Sequence, residues 1–383
     1  MTRLGLTEGA FRLRLNELVL QNFRNYESLS FFPAAGINIL HGKNGSGKTS
    51  LLEAIYYLAV GSSQRGGRET ELVTWGKDFF RVKGVVALAS EQHEIEYRFH
   101  AGTKKVLVDG IAQTRLGDAT PVLTSVFFSP DDLRLIKGAP AVRRRFLDIA
   151  LSQVSARYRK LLSQYHRALL QRNNLLRFEG PRAAGALLQI WEEQLAEFGS
   201  RLILFRMRAL QELKPLAAQA HREMAGGSED LELQYAASVG EIEGEIQQLE
   251  QVYLNSLIEC RSTDIQRGHT TIGPHRDELG ILINGHEVRI YGSQGQQRTA
   301  ALSLRIAEFW FLHAQLGRKP VLLLDDVLSE LDEQRRLALL ARLAASSSGQ
   351  TFVTGTDPQR MLGIPTAQAA VFRVTSGSLQ REG

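Results

Sequence analysis

The octapeptide Gly42-Lys43-Asn44-Gly45-Ser46-Gly47-Lys48-Thr49 constrains this chain more than any other stretch. It meets the P-loop pattern G-x-x-x-x-G-K-[ST] at every fixed position. Ile37 to Leu40, just before it, is an apolar run of strand character. Leu51, Leu52, Ile55 and Leu58, just after it, recur at helical spacing. The glycines therefore fall where a strand hands over to a helix. There they let backbone N–H groups turn toward phosphate oxygens, and the helix dipole adds partial positive charge at the same point. Lys48 reaches the β- and γ-phosphates of a bound nucleotide, and the Thr49 hydroxyl suits Mg²⁺.

Two later stretches decide what kind of P-loop chain this is. Val321-Leu322-Leu323-Leu324-Asp325-Asp326 is a continuous apolar strand, the pattern of a parallel-sheet interior, ending in carboxylates. Ligands bind at that end of such sheets. Asp325 is expected to hold Mg²⁺, directly or through water, and Asp326 to polarise the attacking water as general base. The competing reading of Asp326 is an N-cap for the next helix, a purpose Ser329 can also serve. The other stretch is Tyr291-Gly292-Ser293-Gln294-Gly295-Gln296-Gln297-Arg298, ahead of an amphipathic helix at Thr299 to Leu312. Ser293, Gln294, Gly295 and Gln296 would form a second phosphate-binding device at a helix N-terminus. With one cradle already present, the second makes sense if it closes on a nucleotide held by another copy. Ser329-Glu330-Leu331-Asp332 is expected along the same subunit boundary. The plainer reading of Ser293 to Arg298 is a polar helix cap.

The rest of the chain sorts by texture. Phe11 to Leu20, Leu29 to Phe32 and Ile37 to Leu40 read as strands, with Asn22-Phe23-Arg24-Asn25-Tyr26 as a loop. Arg24 or Asn25 is a candidate phosphate contact there, against a solvated turn with an aromatic anchor. Gly61 to Glu71 reads as a mobile loop whose Arg65 and Arg68 either touch DNA or are simply solvated. Phe79 to Val108 is a β-meander with hairpin signals at Ala101-Gly102 and Asp109-Gly110, hence a second sheet. Lys104 and Lys105 at its tip read as solvated. Val122 to Phe128 is an apolar strand stopped by Ser129-Pro130-Asp131-Asp132. Arg143-Arg144-Arg145 reads equally as a solvated helix start or as a phosphate contact. From Leu147 to about Cys260 the apolar residues recur every three or four positions, which predicts packed helices. Turns are marked at Gly180-Pro181 and Gly226-Gly227, and a strand at Leu231 to Tyr235. No heptad run is long enough for a coiled-coil arm. His275, in Gly273 to Leu279, is either a ligand contact or a surface turn residue. Asn284-Gly285 signals a hairpin joining Ile281–Ile283 to Val288–Ile290.

Composition adds bounds. A net charge of +5 permits a polyanionic partner. Cys260 is the only cysteine, which excludes an internal disulfide and fits a reducing cytoplasm. No stretch reaches the roughly 18 apolar residues of a membrane span, and Met1 to Phe11 lacks the apolar core of a signal peptide.

The order P-loop, SQGQ-type signature, LLLDD and SELD resembles the ABC-type ATPase heads of the SMC family and their DNA-repair relatives. Within that group the chain is most similar to the RecF family. The stretches that carry the likeness are NFRNY at 22–26, GKNGSGKTSLLEAIYYL at 42–58, FSPDDL at 128–133, RRRFLD at 143–148, GPHRDEL at 273–279, GSQGQQRT at 292–299 and LLLDDVLSELD at 322–332. The resemblance implies an α/β P-loop ATPase head of ABC type: a mixed sheet with flanking helices, an antiparallel β subdomain and an inserted, mainly helical lobe. The head would occupy 1–146 and 261–383, and the lobe 147–260. The resemblance also implies an ATP- and Mg²⁺-bound homodimer that binds DNA, works with RecR and helps load RecA at single-strand gaps. The chain departs from transporter-type heads in its chemistry. The second strand-end carboxylate is Asp326 rather than glutamate, and Thr356 or Asp357 stands where a switch histidine would follow Thr351 to Thr354. Both departures predict slow hydrolysis. A transporter subunit would need a much shorter spacing between P-loop and signature, and an SMC-like tether would need an arm.

Overall fold

A computed structural model of the chain describes residues 13–113, 122–178, 186–240, 246–331, 333, 335–337, 339, 349–356 and 369–382. The sequence readings at Met1 to Phe11, Gly180-Pro181, Asp332 and Asp357 lie outside those residues, as does the side chain of Glu330. Contacts divide the chain into two units, the first of residues 1–132, 223–227 and 302–383, the second of 133–222 and 228–301.

The first unit is built on two six-stranded sheets. One is an antiparallel meander of order β2-β1-β4-β5-β6-β7, formed by β1 (Leu13–Phe23), β2 (Tyr26–Phe31), β4 (Phe79–Leu88), β5 (Glu91–His100), β6 (Thr103–Val108) and β7 (Ile111–Ala112). The other has the order β15-β14-β3-β13-β12-β8, from β3 (Ile37–His41), β8 (Ser125–Phe128), β12 (Val321–Leu324), β13 (Thr351–Gly355), β14 (Ala369–Thr375) and β15 (Ser378–Glu382). Its strands run parallel except β15, which pairs antiparallel on the edge. β12 is buried along its whole length, as an interior parallel strand requires, and β8, at the end of the order, is buried as well.

Helix α1 (Lys48–Val60) packs on strands of both sheets. Leu51, Leu52, Ala54, Ile55, Tyr56, Tyr57 and Leu58 are all buried, so the helix is apolar nearly all round. Each such leucine or isoleucine contributes about 1.5–3 kcal/mol through burial. Tyr57 meets Phe23, Phe80 and Tyr97 edge-on, tying the helix to the antiparallel sheet. The stretch 61–71, expected to be mobile, is pinned instead. Ser63 donates to Glu53 at 2.5 Å, and a short 3-10 turn follows at Glu69–Leu72. Lys104, expected to be solvated, donates to Glu69 at 2.6 Å and to the Gly61 carbonyl at 2.8 Å.

The second unit holds α2 (Leu133–Lys137), α3 (Pro140–Val154), α4 (Ala156–Phe178), α6 (Ile246–Glu259), α7 (Arg261–Arg267), and most of the long α5 (Ala186–Met224). It also holds an antiparallel sheet of order β11-β10-β9, from β9 (Leu231–Ala236), β10 (Glu278–Ile283) and β11 (His286–Glu287). The unit runs wider than the 147–260 lobe read from the sequence, because α3 packs on α4 and β9 pairs with β10 far along the chain. The predicted strand at 288–290 is a helical turn, α8 (Val288–Tyr291), since β11 ends after two residues. Inside the unit, Arg172 of α4 is fully buried between Glu192 of α5, at 3.0 Å, and Asp264 of α7, at 2.7 Å. Among the described residues no helix is long and apolar enough to cross a membrane.

Candidate functional site

The phosphate-binding candidate is assembled at the carboxyl ends of adjacent parallel strands. β3 runs out into the Gly42–Thr49 loop. β13 lies between β3 and β12, with Thr354 opposite Leu40 and Val353 opposite Leu324. This register brings the ends of β12 and β13 to one level. Thr49 Oγ1, at the start of α1, donates to Asp325 Oδ1 at 2.9 Å. Thr354 Oγ1 donates to the same oxygen at 2.8 Å and accepts the Asp326 N–H at 3.0 Å. Burial pushes the Asp325 carboxyl above the usual carboxylate range, while the Thr354 and Thr49 hydroxyls pull it back. Thr354 was not singled out in the sequence. One threonine at the end of an apolar strand carries no signal until the register of β13 is known.

The loop is latched from outside. Asn25 Nδ2 donates to the Ser46 carbonyl at 3.2 Å, Tyr26 Oη to the Gly47 carbonyl at 3.0 Å, and Gly377 N to the Ser46 carbonyl at 3.1 Å. Gly47 has φ 116°, and a Cβ there would lie 2.6 Å from Asn25 Nδ2 and 2.8 Å from Tyr26 Oη. Glycine is thus required by dihedral and by space at once. Lys48 Nζ folds back onto the Gly42 and Lys43 carbonyls at 2.8 and 3.1 Å. The cradle fits a phosphate: Ser46 Oγ is buried without a partner among the described residues, and a Cβ on Gly45 would meet nothing within 4 Å.

A cavity of about 640 Å³ opens over this loop. Asn44, Gly45, Gly47, Lys48, Thr49 and Asp326 line it, together with Arg24, Asn25, Arg65 and Trp75. Asp326 sits at φ 53° as the residue before α10 (Val327–Glu330), and its side chain makes no cap bond. Ser329 Oγ donates instead to the Asp326 carbonyl at 2.7 Å, so the carboxylate is not used as a helix cap.

Arg24 reaches the cavity wall but not as an unpaired phosphate-seeking cation. Its Nε and Nη2 both bond Glu53 at 2.9 Å, and Nη1 donates to the Glu71 carbonyl at 2.8 Å. Glu53 is buried on α1 and needs that countercharge. Arg143, expected on a solvated or phosphate-facing helix, is buried in a bidentate pair with Glu278 at 2.8 and 2.9 Å. His275 is not a free surface turn residue but is partly buried and bonded inward. Nδ1 bonds Tyr165 Oη at 2.7 Å and Nε2 lies 3.1 Å from the Thr270 carbonyl. Burial holds its pKa down at about 4.

The signature stretch belongs to the second unit and opens α9 (Gln294–Leu316). Ser293 N donates to Gln296 Oε1 at 2.8 Å, and Gln296 N donates to Ser293 Oγ at 3.2 Å, a reciprocal capping box. Gln296 Nε2 also reaches Glu229 at 3.0 Å. Ser293 and Gln294 are exposed. The cap and a phosphate contact would draw on the same serine hydroxyl.

Comparison with known proteins follows the same lines. The family model described as RecF/RecN/SMC N terminal domain matches residues 14–379. The DNA replication and repair protein RecF of Halothermothrix orenii is 39% identical over 371 residues, covering 96% of this chain and 98% of that protein. The protein of the same name from Symbiobacterium thermophilum is 40% identical over 369 residues, covering 95% and 97%. A solved structure of the recombination mediator protein RecF with ATP in the RecFOR pathway superposes with a TM-score of 0.89 at 35% identity, over 98% of this chain and 99% of that one.

Proposed function

The chain belongs to the RecF family, within the RecF/RecN/SMC N-terminal domain group, and from that premise we propose that it is an ATP-switched DNA replication and repair protein that acts as a recombination mediator. The observation that carries the reading is the 2.9 Å bond between Thr49 and Asp325 beside a phosphate cradle. A hydroxyl and a carboxylate so joined are the donor pair that Mg²⁺ uses when phosphate oxygens complete its shell. Mg²⁺ would be held there by Thr49 and Asp325 and would neutralise phosphate charge. Backbone N–H groups of Asn44 to Thr49 bind the phosphates, and Lys48 exchanges two carbonyl contacts for phosphate oxygens. Asp326 lines the cavity and is the residue suited to orient a water. Its short side chain fits slow turnover, as a switch requires.

Ser293, Gln294, Gly295 and Gln296 of a second copy close on the γ-phosphate, so ATP joins two copies and shifts a monomer–dimer equilibrium. The dimer offers DNA a basic surface, consistent with the net charge of +5, and binds mainly through backbone phosphates, hence in a salt-sensitive way. RecR is the partner and assistance to RecA at single-strand gaps the outcome, in the cytoplasm. Sedimentation velocity with a non-hydrolysable ATP analogue and Mg²⁺ tests the reading. The wild-type chain dimerises, Ser293→Arg binds nucleotide as a monomer, and Lys48→Met loses nucleotide binding. A wild-type chain that stays monomeric with the analogue bound refutes the shared-pocket mechanism.

A further inference from the structure

Trp75 is 97% exposed, the most exposed large apolar side chain among the described residues, and it lines the same cavity as Lys48 and Thr49. Leaving an indole bare costs apolar burial, and a single surface aromatic is usually unremarkable. This one is held on a rigid frame. Lys77 N donates to the Thr74 carbonyl at 3.0 Å and Gly76 takes φ 78°, which closes a tight turn with Trp75 at its apex. The turn is stapled to the end of β1: Val73 bridges Phe23, Thr74 N donates to the Asn22 carbonyl at 2.9 Å, and Arg24 N donates to the Leu72 carbonyl at 2.7 Å. The next two residues, Asn25 and Tyr26, latch the phosphate loop. One five-residue segment therefore fixes the turn that carries Trp75 and the phosphate cradle in a common frame. Beside the indole, Thr74 Oγ1 is buried without a partner among the described residues, and Val73 adds apolar wall.

We propose that Trp75 is the stacking platform for the nucleobase of the bound nucleotide. The inference rests on the ATP-binding reading above and extends it from the triphosphate to the base. An indole carried on a fixed turn gives a base an apolar, polarisable face, and only two side-chain torsions are ordered on stacking. Every base has a π-face, so the platform favours purines by area without choosing adenine over guanine.

Trp75 is one of three tryptophans, and the other two, Trp191 and Trp310, are partly buried. Adding ATP or its non-hydrolysable analogue therefore quenches the exposed indole's emission in wild type, and that change is absent in Trp75→Ala. By calorimetry Trp75→Ala binds ATP roughly tenfold more weakly, one stacking contact, while Trp75→Phe recovers most of the loss. Inorganic tripolyphosphate, which has no base, binds wild type and Trp75→Ala alike. Unchanged ATP affinity in Trp75→Ala, with Lys48→Met still abolishing binding, overturns the base platform and leaves the ATP reading standing. Failure of wild type to bind ATP at all overturns both. If Trp75→Ala weakens binding of single-stranded DNA but not of ATP, the indole serves nucleic acid instead and the proposal falls.

Discussion

Replacing Thr354 by valine isolates the hydroxyl that ties the Asp325 carboxylate to the backbone N–H of Asp326. Thr354 is buried, donates to Asp325 Oδ1 at 2.8 Å and accepts the Asp326 N–H at 3.0 Å. Valine keeps the shape and removes both bonds. A hydrogen bond to a charged group contributes about 1.5–3 kcal/mol, and a buried N–H left without a partner costs about 1–3 kcal/mol. Asp326 also sits at φ 53°, a left-handed conformation that costs an ordinary residue about 1–2 kcal/mol and needs support. The Asp325 carboxyl, already raised by burial, loses one of the two hydroxyls that lower it. The variant should therefore lose about 3 kcal/mol of stability, near the lower end of those two contributions together. Its demand for Mg²⁺ should rise about 10- to 100-fold, the usual effect of removing a partner that orients a metal-binding side chain. The assay is a Mg²⁺ titration of nucleotide-dependent dimerisation at fixed analogue concentration, with urea denaturation alongside. Thr354→Ser restores both bonds and should behave nearly as wild type. A valine variant with the wild-type Mg²⁺ midpoint and the wild-type denaturation midpoint would refute the reasoning.

Three further outcomes follow from the geometry. Gly47→Ala drives a methyl to 2.6 Å from Asn25 Nδ2 at φ 116°; it should lower stability by about 2 kcal/mol or more and abolish nucleotide binding, read by calorimetry beside a melting curve. His275 is held at about 4 against 6.5 in the unfolded chain, so between those pH values the unfolded state takes up a proton that the folded state refuses. Stability is complete above pH 6.5 and falls by up to about 3 kcal/mol as pH drops to about 4; urea denaturation of His275→Gln across that window should lack this component. Arg172→Met leaves the buried Asp264 without its cation, while Glu192 keeps Arg261, and should cost about 3–5 kcal/mol, whereas Arg172→Met with Asp264→Asn should recover much of it, again by denaturation.

What could be read without coordinates was what backbone chemistry writes locally. Gly47 and the Asn284-Gly285 turn are named by the dihedrals they adopt, φ 116° for the first and 50° and 80° for the second. Leu322 to Leu324 announce a buried parallel strand because no polar residue interrupts them, and a strand of that kind delivers Asp325 to a ligand-binding edge. The Ser293–Gln296 pair was visible as a helix start for the same reason: a cap is an interaction between neighbours in sequence.

Tertiary structure decided every pairing across distance. Arg24 meets Glu53 across 29 residues, Lys104 meets Glu69 across 35, and Arg143 meets Glu278 across 135. In sequence each of those cations looks like a solvated or phosphate-seeking charge, because its partner is fixed only by how strands and helices pack. The strand after Asn284-Gly285 stopped short for a similar cause, the sheet offering β11 only two residues of pairing. Thr354 and Trp75 entered the site by the same route. A residue's chemistry is set by its type, but its neighbours are set by the register of β13 on β12 and by the turn stapled to β1, and neither register nor staple is written in any single stretch of the chain.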